Sequence, residues 1–446
     1  MGGLLAGWSW PGKAGGASPG SKTWYRLDNA AKIYPVIMRS RHVSVFRMSA
    51  VMREEVVPAQ LQQALELTLP RFPTFAVRLR HGLFWYYLES SQNRPLVEED
   101  VRNPLRSWSK KDEKSYLFRV RYGHHRIAVE FFHALTDGYG GLVFLKTLVA
   151  AYLSLQGIDC PPGRGILDVK DAPDPSEMED AYKRFSNFRI IRRPKETKAF
   201  HLQGTIIPGH DLHIISGTVP ADQVTDVAAR FGVSVTELLV GIYLYQLYRI
   251  QQQGGYRTSD PVRVSVPINV RRFYPSNTVR NFALYANPGI EPAFGAYTFD
   301  EILKLVHHFM RYTINEKYLN AMMCANVAPE KSMLMRLSPL PLKNAAMRFG
   351  YSLAGESRFT STLTNLGKTD LPEAMARHVD HLEFLLGPSS CNPVNCAVIS
   401  TENKLVIQFS AVMTETDPQR AFFKHLVQLG LPVLVESNQD YTSREV

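Results

Sequence analysis

From Arg126 to Phe132 the chain alternates, so that Ile127, Val129 and Phe131 share one face of a predicted strand. His133 continues their parity and should leave the strand end pointing the same way. Gly138 then opens a pattern of helical period that runs to about Leu155, with Thr136 and Asp137 where an N-cap is expected. Upstream, Trp24 to Ile37 leads into a strand-like run from His42 to Val51. Val57 to Leu69 predicts a helix, with Leu61, Ala64, Leu65 and Thr68 at helical spacing behind Pro58. Phe75 to Leu79 and Leu83 to Leu88 predict a hairpin around His81-Gly82, and Tyr116 to Tyr122 with Arg126 to Phe132 a second around Gly123.

Pro161 to Pro175, rich in Pro, Gly and Asp, reads as a linker, and a second α/β pattern starts near Leu212. It has a strand at Ser216 to Val219, a helix at Ala221 to Phe231, and a long apolar helix from Val233 to about Ile250. Ser234 and Glu237 are spaced as a capping box for that helix. A strand at Val262 to Val266, a helix at Tyr297 to Glu316 and strands at Thr360 to Asn365, His381 to Leu386, Asn395 to Ser400 and Leu405 to Ala411 follow. Thr416 to Leu429 closes the chain as a helix. The expected division is a flexible tail over 1–22, an N-terminal α/β unit over 23–170, a linker over 171–205 and a C-terminal α/β unit over 206–446.

Composition narrows the class. At 446 residues the chain exceeds one ordinary core, and 45% hydrophobic with 21% charged residues is usual for a soluble globular protein. No apolar run approaches the roughly 18 residues needed to span a bilayer. The start lacks a basic segment followed by a sustained apolar core, so no signal peptide is expected. Four cysteines make no disulfide framework, and no His or Cys cluster completes a metal site around Cys391 and Cys396. Reduced thiols, a cytoplasmic location and no metal are the expectations. The net charge of +10 favours anionic partners, yet no nucleic-acid motif accompanies it. Its densest stretch, Lys183 to Lys198, interleaves Arg184, Arg189, Arg192, Arg193 and Lys195 with Tyr182, Phe185 and Phe188. That reads either as a basic aromatic helix touching an anionic membrane or as a solvated linker helix ended by Pro194.

The candidate chemistry sits at His133. An imidazole at a strand end, ahead of a capped helix, is placed as a general base would be, and its ordinary pKa lies near neutrality. A lone histidine there can equally be a packed or solvated one; spacing alone leaves both readings open.

Five segments together resemble the chloramphenicol-acetyltransferase-like superfamily of HxxxDG acyltransferases, which includes condensation domains. They are Trp24 to Pro35, His133 to Gly138, Val266 to Ala283, Thr362 to Gly367 and Gly387 to Asn395. The resemblance runs from about residue 23 to the C-terminus, and is strongest to bacterial alcohol acetyltransferase-like proteins. It implies two α/β domains with mixed sheets, packed as a pseudo-symmetric V around a central tunnel. It implies direct acyl transfer from acyl-CoA, here acetyl-CoA, to a small-molecule alcohol or amine; no bound cofactor and a monomer are expected. His133 would be the base. Asp137 would pair with an arginine, and Gly138 would keep the helix start open. A condensation-type enzyme with an amine acceptor or carrier-bound donor, or a non-catalytic relative, is the alternative.

Two departures stand out. Phe132 occupies the place of the longer motif's first histidine, and the plant family's Asp-Phe-Gly-Trp-Gly is missing, with Thr364 to Gly367 as the nearest counterpart. Thr364 and Asn365 are candidate oxyanion or substrate contacts, or else turn residues. Arg271, Arg272 and Arg280 are candidates for the CoA phosphates, or else braces for their loop. Asn281 shares the second ambiguity.

Overall fold

The computed structural model describes residues 22–38, 43–108, 115–187, 196–389 and 391–439. The tail over 1–21 and the basic residues over 188–195 lie outside the described residues.

Two mixed sheets organise the molecule. The first has five strands in the order Val379–Leu386, Val45–Met52, Arg126–Phe132, Phe118–Gly123 and Val97–Glu99. All its pairings are antiparallel except the last. The second runs Ala283–Ala286, Val262–Asn269, Ser361–Thr369, Val394–Thr401, Lys404–Ala411, His213–Pro220 and Leu434–Ser437, with Gly289–Ile290 also on Val262–Asn269. A small sheet of Trp24–Arg26, Tyr86–Ser90 and Val77–His81 stands beside them. Both predicted hairpins form, the second with its partners matched from Phe118↔Phe131 to Gly123↔Arg126.

The helices follow from the sequence pattern. Gly138–Ser154 is apolar on nearly every face and is buried continuously from Val143 to Leu153, between the first sheet and helix Pro58–Thr68. Val235–Gln253 starts at the predicted capping box, with Ser234 accepting from the Glu237 N–H and the Glu237 carboxylate accepting from the Ser234 N–H. It packs on Phe299–Thr313 and Asp417–Gln428.

Two features depart from the linear reading. Strand Val379–Leu386, from the segment over 206–446, is an edge of the first sheet, its Leu386 opposite Phe46 and its Val379 opposite Met52. The C-terminal part of the chain therefore crosses back to complete the sheet that carries His133. Between 316 and 354 lie helices Glu316–Val327, Met333–Leu337 and Leu340–Ala354, which the sequence reading did not place. Pro339 and Pro341 interrupt the run, and several apolar side chains there face outward rather than toward a core.

Candidate active site

Strand Arg126–Phe132 delivers His133 to its junction with the buried helix. The His133 N–H donates to the Ser44 carbonyl at 2.8 Å, which extends the strand pairing past Phe132 and fixes the histidine backbone. Tyr34 stacks on the imidazole, with centroids 4.4 Å apart and planes 14° from parallel. Phe46 meets it edge-on at 5.1 Å. Burial holds the His133 pKa below its ordinary value, against opposing pulls from its own backbone, Asp137 and Asn281. The ring is therefore neutral near pH 7, the form a base requires.

Hydrogen bonding decides which ring nitrogen is free. Asn281 Oδ1 lies 3.1 Å from His133 Nδ1. The Asn281 amide NH₂ faces two acceptors, Asp28 Oδ2 at 3.2 Å and the His133 carbonyl at 3.1 Å. That sets the amide orientation, so Oδ1 accepts and Nδ1 must carry the ring proton. Nε2 is left with the lone pair. Asp28, which anchors the amide, is itself completely buried. Burial pushes its carboxyl up to about 6, while Arg280 at 3.6 Å and the donors Ala31 N–H and Asn281 pull it down.

Asp137 builds the support for this arrangement. As N-cap it accepts from the Gly140 N–H at 3.1 Å, and its other oxygen accepts from the Phe282 N–H at 2.7 Å and from Arg271 Nη1 at 2.8 Å. Arg271 in turn donates to the carbonyls of Thr278 at 2.9 Å and Arg280 at 2.6 Å. Thr136 Oγ1 donates to the Val279 carbonyl at 2.6 Å. The segment from Thr278 to Phe282 is thus clamped on both sides of Asn281. Close approach requires small residues at the helix start. A Cβ at Gly140 would sit 1.9 Å from the Val279 oxygen, and one at Gly138 2.8 Å from Leu366 Cδ2. The sequence pattern singled out Gly138; the tighter constraint is at Gly140.

Two of the three arginines expected at a tunnel mouth are committed elsewhere. Arg271 is the partner of Asp137, and Arg280 is buried against Asp28, donating to the Arg26 carbonyl at 2.6 Å. Their charges are consumed inside the fold, which corrects their assignment as phosphate ligands and selects the bracing role. Arg272 is exposed. Thr364 and Asn365 lie on strand Ser361–Thr369, whose Leu366 covers Gly138. Asn365 Oδ1 accepts from the Gly367 N–H at 2.8 Å and its Nδ2 donates to Thr236 Oγ1 at 3.0 Å. Gly367 has φ +78°, and the strand register shifts between Asn365 and Lys368. Asn365 therefore holds a turn and bulge, with one of its two amide N–H groups engaged by Thr236; Thr364 is buried on the strand before it.

Sequence reasoning did not identify Asp28, Tyr34 or Gly140. Asp28 and Tyr34 do fall within Trp24 to Pro35, the segment that carries the first part of the resemblance.

No protein-family model matches the sequence, and no curated protein matches it. Solved structures match over nearly its whole length. Polyketide synthase associated protein 5 from Mycobacterium tuberculosis is 14% identical, covering 94% of this chain and 98% of its own, with a TM-score of 0.59. Trichothecene 15-O-acetyltransferase TRI3 from Fusarium sporotrichioides is 12% identical, over 93% and 95%, also at 0.59. A mutant starter condensation domain of rhizomide synthetase, in complex with C8-CoA, is 14% identical over 91% and 95%, at 0.59. This chain has the two-lobed condensation-domain fold. Both lobes of the condensation-domain fold are present, because the matches span nearly all of either partner. The mixed α/β architecture expected from the order of elements and from the resemblance is the one observed.

Proposed function

We propose that this protein moves an acyl group, acetyl in the first instance, from acyl-CoA to the hydroxyl of a small-molecule alcohol. The observation that carries the reading is the fixed tautomer of His133: Asn281 holds Nδ1 as a donor and leaves Nε2 as a base in a half-buried site. Nε2 takes the proton as the hydroxyl oxygen attacks the thioester carbonyl. The tetrahedral oxyanion that forms needs a fixed donor, and we assign the Thr364 hydroxyl, buried on the strand that covers Gly138. Collapse breaks the C–S bond, and the imidazolium returns its proton to the departing thiolate. Asp137 and Arg271 act through Asn281, by clamping its segment. The fold shared with a structure holding C8-CoA and with an O-acetyltransferase supports this donor and acceptor class.

The test is a mass-spectrometric screen of acyl-CoA donors against pooled alcohols and amines with purified protein. Esters formed from acetyl-CoA are expected, and they should vanish in His133→Ala. Amides alone would replace the acceptor, and turnover only from a carrier-bound thioester would replace the donor. No acyl product from any thioester would overturn the reading.

A further inference from the structure

Helices Met333–Leu337 and Leu340–Ala354 carry an apolar face that is turned away from the protein. Leu83, Met333, Leu334, Leu337, Leu342 and Phe349 are between 63% and 83% exposed. On the longer helix Leu342, Ala345, Ala346 and Phe349 recur at helical spacing and are all exposed, while Lys343 on the other side is buried over the Trp85 ring at 3.3 Å. Leu83 joins the patch because the Leu340 N–H donates to its carbonyl at 2.8 Å. An outward apolar face of this kind is costly in water and marks a contact surface.

Charge identifies the partner. Residues 331–355 contain four Lys or Arg and no Asp or Glu. Arg336 and Arg348 are exposed beside the apolar face, and each donates its Nε to a backbone carbonyl, Glu330 O at 3.0 Å and Val36 O at 2.8 Å. Both acceptors are neutral, and no carboxylate among the described residues pairs with either guanidinium. Exposed aliphatic and aromatic side chains rimmed by cations match the boundary of an anionic bilayer, where apolar groups enter the acyl region and cations meet phosphate headgroups. A protein partner that buried the same face would have to supply carboxylates there. No single helix among the described residues is long and apolar enough to cross a membrane, so the surface would rest on a bilayer without spanning it.

We infer that this helix pair docks the protein on the surface of an anionic lipid bilayer. The face adjoins the site: Arg348 braces the Val36 carbonyl in helix Tyr34–Ile37, whose Tyr34 stacks on His133. The inference does not rest on the acyl-transfer reading, because vesicle binding is measured without turnover.

The experiment is flotation of the full chain with vesicles of phosphatidylcholine alone and of phosphatidylcholine mixed with phosphatidylglycerol. Binding to the anionic vesicles is expected, weakening as salt rises. Leu334→Ser with Phe349→Ser should lower partitioning by about tenfold or more, since each side chain loses its apolar transfer. Arg336→Gln should lower it by about fivefold on anionic vesicles only. Both serine sites are exposed, so the variants should keep the wild-type melting temperature; each single substitution repeats the test if the pair does not fold. No flotation at low salt, or flotation that the serine variants retain, would overturn the inference. So would a wild-type dimer that the serine variants convert to monomer, which would make a second copy the occupant.

Discussion

Asp28→Asn exchanges one oxygen for one nitrogen and tests the tautomer directly. In the wild type, Asp28 Oδ1 accepts from the Ala31 N–H at 2.8 Å and Oδ2 accepts from Asn281 Nδ2 at 3.2 Å. An asparagine that keeps the Ala31 bond turns its own NH₂ toward the NH₂ of Asn281. Either two donors face each other in a buried site, or the Asn281 amide rotates. Rotation would present an N–H to His133 Nδ1, demand a lone pair there, and move the ring proton to Nε2, where it blocks proton abstraction. A buried polar group left without its partner costs about 1–3 kcal/mol, which as lost transition-state stabilisation is about 5- to 150-fold in kcat. The KM for acyl-CoA should stay within about twofold, because nothing assigned to the donor is touched. The assay is thiol release from acetyl-CoA, paired with nitrogen NMR of the imidazole, in which the protonated nitrogen should move from Nδ1 to Nε2. Wild-type kcat with Nδ1 still protonated would refute the role given to Asp28 and Asn281. A loss of melting temperature with unchanged kcat would leave Asp28 as a structural residue only.

The remaining expectations concern the base and its supports. His133→Ala should lower kcat by about 100-fold or more while acyl-CoA binding, followed by calorimetry, survives. Because burial lowers the His133 pKa, the acid limb of kcat/KM should lie below 6.5; the same group contributes stability that is intact above 6.5 and lost as pH falls through the lowered value, a loss that His133→Gln should remove in melting curves taken against pH. Asp137→Asn breaks a buried pair with Arg271 and should cost about 3–5 kcal/mol, with denaturation midpoint and activity falling together and the acid limb kept but moved to lower pH, because the Asp137 charge that raises the His133 pKa is gone. Gly140→Ala should prevent folding or lower the melting temperature severely, whereas Gly138→Ala, which meets only the flexible tip of Leu366, should be milder; equal effects would contradict the close approach to Val279.

The sequence determined the local elements and the chemistry-bearing motif. Period-two alternation from Arg126, the N-cap at Asp137 and the capping box at Ser234 and Glu237 are relations between neighbours, and each appears where the pattern places it. Helix Leu340–Ala354 went unplaced although Leu342, Ala345, Ala346 and Phe349 recur at helical spacing, because Pro339 and Pro341 read as breakers where they in fact open its first turn. The partners were decided only by tertiary structure. Asn281 lies 148 residues from His133, and Asp28 lies 253 from Asn281. Arg271 looked like a free cation until the fold set it on Asp137, 134 residues away, and Arg280 until it was set against Asp28. Side-chain period reports which face a residue occupies; it carries no record of which distant segment packs on that face. That is why the candidate base was legible in the chain, while the groups that fix its tautomer emerged only when strands far apart in sequence were brought together.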